Sequence, residues 1–518
     1  MCSFLLTTLL LRPGSDGLRH VNHFLRFRGP DLTTFESHDD FSFVHNLLWQ
    51  TGTPTPQPFR SSQNRTFALF NGEIYNYLAL QQRLGVAKPY TSDGHCILDA
   101  YEQWGTEFAK HFIGEFAVAV VDARKRRVLA ATDPFGIKPL YAAWNATSLG
   151  LSSYASALVR AGHAPHDVTR LAPNSVFVWS WRASGAGGHR LFELERQRSL
   201  YRFQLRQHKT THADWVAAFE AAVKTRVAGA KRGVVVPLSG GYDSGAVHLA
   251  VLRLQVPHLA LTVLGGKEED PSNMRTIEQR VEYARTHGAN LSTHRYLTIS
   301  EQERRHIRGT LVRDCEPFTT RKPLYRHVTQ AAPHFERAEL VGTKDHNISD
   351  ESAAMGTAFM CRAAREEGRL VMLSGSGADE TSTDYGFNGV RLSDSSEWGG
   401  YWPDDETLSH LFPWGNFFGG TNANYLGREE RVTGVYGIEG RYPFLDPMVV
   451  QEQLSLSPQL KNSVYKAAVQ LYLQEHGYPV APCVATQMPP FIRGQGCAKI
   501  GFAPTLIHGK AKARASDV

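Results

Sequence analysis

A chain of 518 residues is too long for a single hydrophobic core, so roughly two to four domains are expected. Hydrophobic residues make up 42% of it and charged ones 20%, the balance of an ordinary soluble globular protein. The net charge of +6 is small for this length, part of it sits in a basic stretch at 510–514 that reads as a frayed end, and nothing in it calls for nucleic acid.

The opening apolar run, Phe4 to Leu11, has no basic stretch before it and no clear small-residue cleavage site after it. It reads as a buried strand rather than a signal peptide. No later apolar run is long enough to span a bilayer. The 6 cysteines are scattered, without C-x-x-C spacing, which fits a reducing compartment and a cytoplasmic protein. Cys2 is set apart by position. Removal of Met1 leaves its thiol beside a free α-amine, whose ordinary pKa near ~8 suits it to act as the local base.

Short motifs follow in chain order: Arg28-Gly29-Pro30-Asp31, Asn71-Gly72-Glu73-Ile74-Tyr75-Asn76, and Ser92-Asp93-Gly94. A strand pair is expected at 117–121 and 128–131, and then comes Asp133-Pro134-Phe135-Gly136-Ile137-Lys138-Pro139-Leu140-Tyr141. Short strands with Gly, Pro and Asn punctuation indicate a mainly β half with packed helices. The turn-rich stretch 182–188 reads as a hairpin tip or the start of an interdomain connection. Trp215, Phe219, Ala222, Val223 and Val227 then recur at helical spacing, as core residues of a helix.

The chain is organised around Val234 to Ser244. Three valines of strand type end at Pro237, and Ser239-Gly240-Gly241-Tyr242-Asp243-Ser244 leads straight into a helical pattern. Strand, small-residue loop and helix N-terminus together make a phosphate cradle, because glycines admit the anion and the first helical N–H groups point at it. The loop is neither a Walker A box nor a Gly-x-Gly-x-x-Gly dinucleotide turn. Further on, a strand is expected at 258–263, a helix at 276–286 and a strand at 370–373. The last opens Ser374-Gly375-Ser376-Gly377-Ala378-Asp379-Glu380, an α/β pattern that places ligands at the carboxyl ends of parallel strands.

Taken in this order, M-C-S, R-G-P-D, N-G-E-I-Y-N, S-D and D-x-F-G-I-K-P-L-Y resemble the N-terminal-nucleophile (Ntn) glutaminase domain of glutamine-dependent asparagine synthetases. S-G-G-x-D-S resembles the pyrophosphate loop of enzymes that cut ATP between its α- and β-phosphates. The resemblance runs from Cys2 to about Lys466. It implies an α+β and α/β fold: an Ntn-hydrolase αββα sandwich over 2–200, then a PP-loop domain with a parallel sheet over 210–518. Cys2 is then the nucleophile, Asn71 and the backbone of Gly72 form the oxyanion hole, and Glu73 and Asp93 hold the glutamine amino group. Ser239, Gly240, Gly241, Tyr242, Asp243 and Ser244 would take the nucleotide, with Val263, Ser374 and Gly375 flanking the adenosine. Asp243 and Asp379 would hold Mg2+, and Lys466 the leaving pyrophosphate. Glu439-Gly440-Arg441-Tyr442-Pro443-Phe444-Leu445-Asp446 echoes a packing and sheet-edge motif from which Glu439 would approach the substrate.

Some features depart from the resembled pattern. An arginine that grips the glutamine carboxylate is replaced by Leu47 within His45-Asn46-Leu47-Leu48. Either a cation such as Arg26 or Arg28 takes over, or backbone donors do, or glutamine binds weakly. The first glutamate of S-G-E-G-[SA]-D-E, which assists ammonia attack, is Ser376 here. An insertion near 327–350 and the lack of R-x-K near 486–491 fall where the acceptor is recognised. The function expected is glutamine- and ATP-dependent amidation of a small carboxylate through an acyl-adenylate, with aspartate the modal acceptor. The alternatives are a different carboxylate in a specialised pathway, or a non-catalytic scaffold. Neither a membrane nor a nucleic-acid partner is expected, and a homodimer is left open.

Overall fold

The structure, a computed structural model, describes residues 2–12, 16–183, 190–265, 270–288, 291–326 and 339–481. The expected buried strand at the start is Ser3–Thr7, and every residue of it is buried. It lies inside a 6-stranded antiparallel sheet, between Leu149–Ser152 and Phe41–Leu47. A second 6-stranded sheet is built on Thr66–Ile74, Gly114–Asp122, Arg127–Thr132 and Ser175–Ala183. Phe4, Leu6, Phe41 and Phe43 of the first sheet share one core with Phe67, Leu69, Ala117 and Trp179 of the second. The outer face of the first sheet is covered by Asp16–Val21, Leu25–Arg28 and Ala155–Arg160. That of the second is covered by Tyr77–Arg83 and Cys96–Trp104. The result is the αββα sandwich the resemblance implied, with alternating side chains feeding separate cores on the two faces of each sheet.

The second half holds a 5-stranded parallel sheet in the order Ser292–Thr298, His258–Leu264, Val234–Pro237, Val371–Leu373, Glu439–Arg441. Its earliest strand, Val234–Pro237, is central, and later strands are added first on one side and then on the other. The carboxyl end of that strand is therefore the topological switch point, where open α/β sheets bind ligands. Helices Ala213–Val227, Tyr242–Arg253 and Ala467–Glu475 cover one face; Glu301–Asp314 and Ser352–Glu366 cover the other.

Several elements differ from expectation in extent. The helix expected at 276–286 is Pro271–His287, because Asp270 caps it by accepting from the Ser272 N–H and Pro271 sets its first turn. Its polar first turn hid that start. Strands Thr319–Arg326 and Glu339–Asn347 form an antiparallel hairpin flanking and partly filling the insertion near 327–350. Ala183 pairs with Arg190, so the stretch near 182–188 joins two paired strands. Met1, residues 184–189, residues 327–338, the R-x-K region near 486–491 and the basic tail lie outside the described residues.

Candidate functional sites

Cys2 sits just ahead of the first strand, opposite Leu47 and Leu48, with its Sγ 3.9 Å from the Leu48 carbonyl oxygen. It is buried, and burial pushes its thiol up to about 12, with the charges of Glu439 and Asp93 adding to the rise. A thiol so placed needs an adjacent base to react. Asn46 fixes the strand pair beside it: its amide donates to Ser3 Oγ (3.1 Å) and Asn22 Oδ1 (2.8 Å). Burial holds the neighbouring His45 at about 3, hence neutral.

Asn71 is fully buried, and neither its Oδ1 nor its Nδ2 has a hydrogen-bond partner. A buried amide left open in this way stands ready for a ligand. Gly72 follows at φ +134, and a Cβ there would come within 1.9 Å of the Glu115 carbonyl oxygen, so only glycine fits. Asp93 Oδ2 accepts from the Ile74 N–H (3.0 Å), which ties the Ser92-Asp93 turn to the Asn71–Ile74 strand end. Burial pushes Asp93 up to about 6 and raises Glu73 against the pull of Arg441. Cys2, Asn71, Gly72, Glu73 and Asp93 thus gather where the two antiparallel sheets meet.

Arg28 stands elsewhere than the sequence suggested, while Glu439 lies at the sheet edge its motif indicated. Arg28 is fully buried, with its guanidinium on Glu430 Oε2 (2.9 Å), the Glu430 carbonyl (2.6 Å), Tyr154 and the Cys2 carbonyl (3.2 Å). It pins the Cys2 backbone to the second half rather than presenting a cation to a carboxylate. Arg26 is exposed, over Phe27. Glu439 opens the edge strand Glu439–Arg441 and pairs with Arg441 (2.7 Å), which also reaches Glu73 (3.0 Å). Burial opposes its charge, yet Arg441 and Lys138 help hold its carboxyl well below the usual range. Glu439 therefore belongs to the thiol site, not to the phosphate loop.

At the phosphate loop, Ser239 Oγ and Ser244 Oγ hydrogen-bond each other (2.8 Å), and the Gly241 N–H donates to Ser239 Oγ (3.1 Å). Gly241 caps the helix Tyr242–Arg253, whose first turn carries Asp243. From beneath, buried Arg280 donates to the carbonyls of Ser239 (2.5 Å) and Gly241 (2.8 Å), a brace no motif announced. Gly375 packs so closely that a Cβ would lie 2.9 Å from the Asp243 Cβ, which brings the Ser374–Gly377 loop onto the phosphate loop. Lys466 lies between Asp243 (2.7 Å to both oxygens) and Asp379 (2.8 Å), and Tyr465 donates to Asp379 (2.8 Å). Residues 223 and 136 positions apart from Asp243 and within its own helix start are thereby joined in one cluster. Val263 stands half-buried near the end of the adjacent strand.

Asp243 and Asp379 fit a hard divalent cation in donor type: both are carboxylates, and a phosphate-bound Mg2+ needs only one or two from the protein. Among the described residues no cluster of His, Cys, Asp and Glu forms a complete metal cage. Also among these residues, no helix is long and apolar enough to cross a membrane.

The two sites are joined by buried charges that sequence reading left without a role. Lys138 reaches Glu430 (3.1 Å), the Gly440 carbonyl (2.7 Å) and Glu115 (3.5 Å). Glu115 in turn takes Arg226 (2.8 Å) and the Tyr442 N–H (2.8 Å), and Arg226 holds Asp446 (3.0 Å). Lys138, Arg441 and Asp446 lie inside quoted motifs, and Glu115 precedes the expected strand pair; Arg226 and Glu430 carried no readable signal.

Two family profiles match in succession: a glutamine amidotransferase domain over residues 1–193 and asparagine synthase over residues 214–412. A provisionally named asparagine synthetase (glutamine-hydrolyzing) of Mycobacterium bovis is 36% identical over 153 residues, 27% of this chain and 24% of that protein. The chain thus aligns with about a quarter of that relative's length. Longer matches are asparagine synthetase (glutamine-hydrolyzing) 2 of Arabidopsis thaliana, 26% identical over 84% of this chain and 67% of that one, and the Mesocricetus auratus enzyme of the same type, 24% identical over 85% and 75%. In the order of its two folded halves, the chain carries a glutamine amidotransferase domain followed by an asparagine synthase domain, the pairing seen along the longer matches to glutamine-hydrolyzing asparagine synthetases.

Proposed function

We propose that the protein is a glutamine-dependent amidotransferase that activates a small carboxylate with ATP as an acyl-adenylate, releasing pyrophosphate and AMP, and that the acceptor is aspartate. The observation that carries this reading is Lys466 held between Asp243 and Asp379 beside the Ser239–Ser244 loop. We read residues 2–200 as the glutaminase unit and 210–518 as the synthetase unit.

In the first unit the Cys2 thiol, once its own amine is free to take the proton, attacks the glutamine side-chain amide. Asn71 and Gly72 donate to the oxyanion, the carbon–nitrogen bond breaks, and water later cleaves the thioester. Glu73 and Asp93 receive the glutamine ammonium. In the second unit the loop and the helix N-terminus at Tyr242 bind the phosphates of ATP, flanked by Val263, Ser374 and Gly375. Asp243 and Asp379 would hold Mg2+, which supplies charge neutralisation at the phosphates when bound. Lys466, released from the two carboxylates, would follow the charge that grows on the leaving pyrophosphate.

Pyrophosphate release from Mg-ATP and glutamine, measured with and without L-aspartate, tests the reading. Aspartate-dependent release with asparagine as product supports it. Release driven only by another acid would favour the second reading, for which Ser376 is the specific observation. Failure to bind Mg-ATP would leave a scaffold.

A further inference from the structure

Making an amide from ammonia and an acyl-adenylate leaves a proton to be removed. Nitrogen bonds to the acyl carbon, the bond from that carbon to the AMP oxygen breaks with its electron pair going to AMP, and the nitrogen sheds a proton. The carboxylates already assigned near the loop, Asp243 and Asp379, are both engaged by the Lys466 ammonium.

Ser376 stands half-buried between Gly375, packed on Asp243, and the short helix Ala378–Ser382 that carries Asp379. Its hydroxyl donates to Glu429 Oε1 (2.6 Å), and the Ser374 hydroxyl donates to Glu429 Oε2 (2.7 Å). Glu429 projects from the helix Gly420–Val435, which reaches the strand-end loop from the far side of the sheet edge. It is 8% exposed, and its nearest cation, Arg428, is 3.9 Å away and already paired with Glu351 (3.0 Å). A carboxylate whose two oxygens both rest on hydroxyls of the nucleotide loop is oriented toward that site. The cation beside it, Arg428, is shared with Glu351, which holds it more closely.

We propose that Glu429 accepts the proton of the attacking nitrogen through the Ser376 hydroxyl, so that the carboxylate of this half-reaction enters from the Gly420–Val435 helix instead of from the loop. The relay balances: the nitrogen gives its proton to Ser376 Oγ as Ser376 passes its own to Glu429. Burial raises the Glu429 carboxyl above the ordinary range, which favours proton uptake, while Arg428 and the two serines oppose the rise. The proposal rests on the acyl-adenylate reading above.

The test separates the half-reactions in full-length protein. ATP–pyrophosphate exchange driven by L-aspartate reports adenylation; ammonia-driven asparagine formation across pH reports the whole sequence. For Glu429→Gln, exchange should stay within about threefold of wild type, while amide formation at saturating ammonia falls about 100-fold, the scale of a lost general base. Adding Ser376→Glu to that variant should restore at least tenfold. Equal loss of exchange and amide formation would make Glu429 a mere loop support and overturn the proposal, as would unchanged amide formation. Absence of aspartate-driven exchange in the wild type would remove the underlying reading itself, a failure separable from that of Glu429.

Discussion

Asn71 and Cys2 are tested differently under the proposed glutaminase reading. The Asn71 side chain makes no hydrogen bond to protein, so Asn71→Ala should leave thermal stability nearly unchanged while glutaminase kcat falls by ~10²–10³, the cost of one oxyanion donor. Melting curves and glutamate release check the pair of outcomes. Cys2→Ala should abolish glutamine-driven turnover and spare the ammonia-driven reaction within about threefold; loss of both would refute the division of labour between the halves. At the other site, burial lifts Asp243 to about 6, against the pull of Lys466. Its ionised form, needed beside the phosphates, is lost as pH falls through about 6, so kcat/KM for ATP should decline below that pH. Stability runs the other way. A carboxyl raised in the folded state contributes most below its unfolded pKa near ~4 and loses that contribution as pH rises through about 6. An ATP kcat/KM that stays flat between pH 5 and 7 (an assay window chosen around ~6) would exclude Asp243 as the titrating group.

Elements explain which parts of this arrangement the sequence announced. The strand–loop–helix at Val234 to Ser244 was legible because valines, paired glycines and a helical pattern each have a local physical meaning. Gly72 and the Asn71-Gly72-Glu73 strand end were legible through the motif, though not the Glu115 carbonyl that forbids any side chain at Gly72. The sheet-edge place of Glu439 was legible in its motif, but its link through Arg441 to Glu73 was not, because no pattern along one chain tells which neighbour an edge will meet. The same holds for Glu429, whose helix meets the Ser374–Gly377 loop only after folding. The interlock of the two loops gives an element-scale prediction. Gly375→Ala would push a methyl to 2.9 Å from the Asp243 Cβ and part the loops. Overpacking of this kind costs about 1–3 kcal/mol, and aspartate-driven ATP–pyrophosphate exchange should fall at least tenfold while glutaminase activity persists.

Across the whole molecule the junction is built from charge rather than grease alone. Arg28 and Lys138 on one side share Glu430 on the other, and Glu115 answers Arg226 in the opposite sense. Glu430→Gln would leave buried Arg28 with no carboxylate and Lys138 with only Glu115 at 3.5 Å, and breaking such a set from one side costs about 3–5 kcal/mol. Urea unfolding should show that loss. A restored midpoint when Arg28→Met and Lys138→Met are added would assign it to the stranded charges.

That junction also bears on inheritance. Each side carries cations whose anions are encoded hundreds of positions away, so neither half is a free-standing cassette. A lineage that exchanged the first half for a relative's would have to bring matching residues at 28, 115 and 138 in the same event, or accept bare ions in its interior. Change is then cheaper at the acceptor end, where Ser376 stands, than at the seam, and descendants of this architecture should diversify in what they amidate sooner than in where their nitrogen comes from.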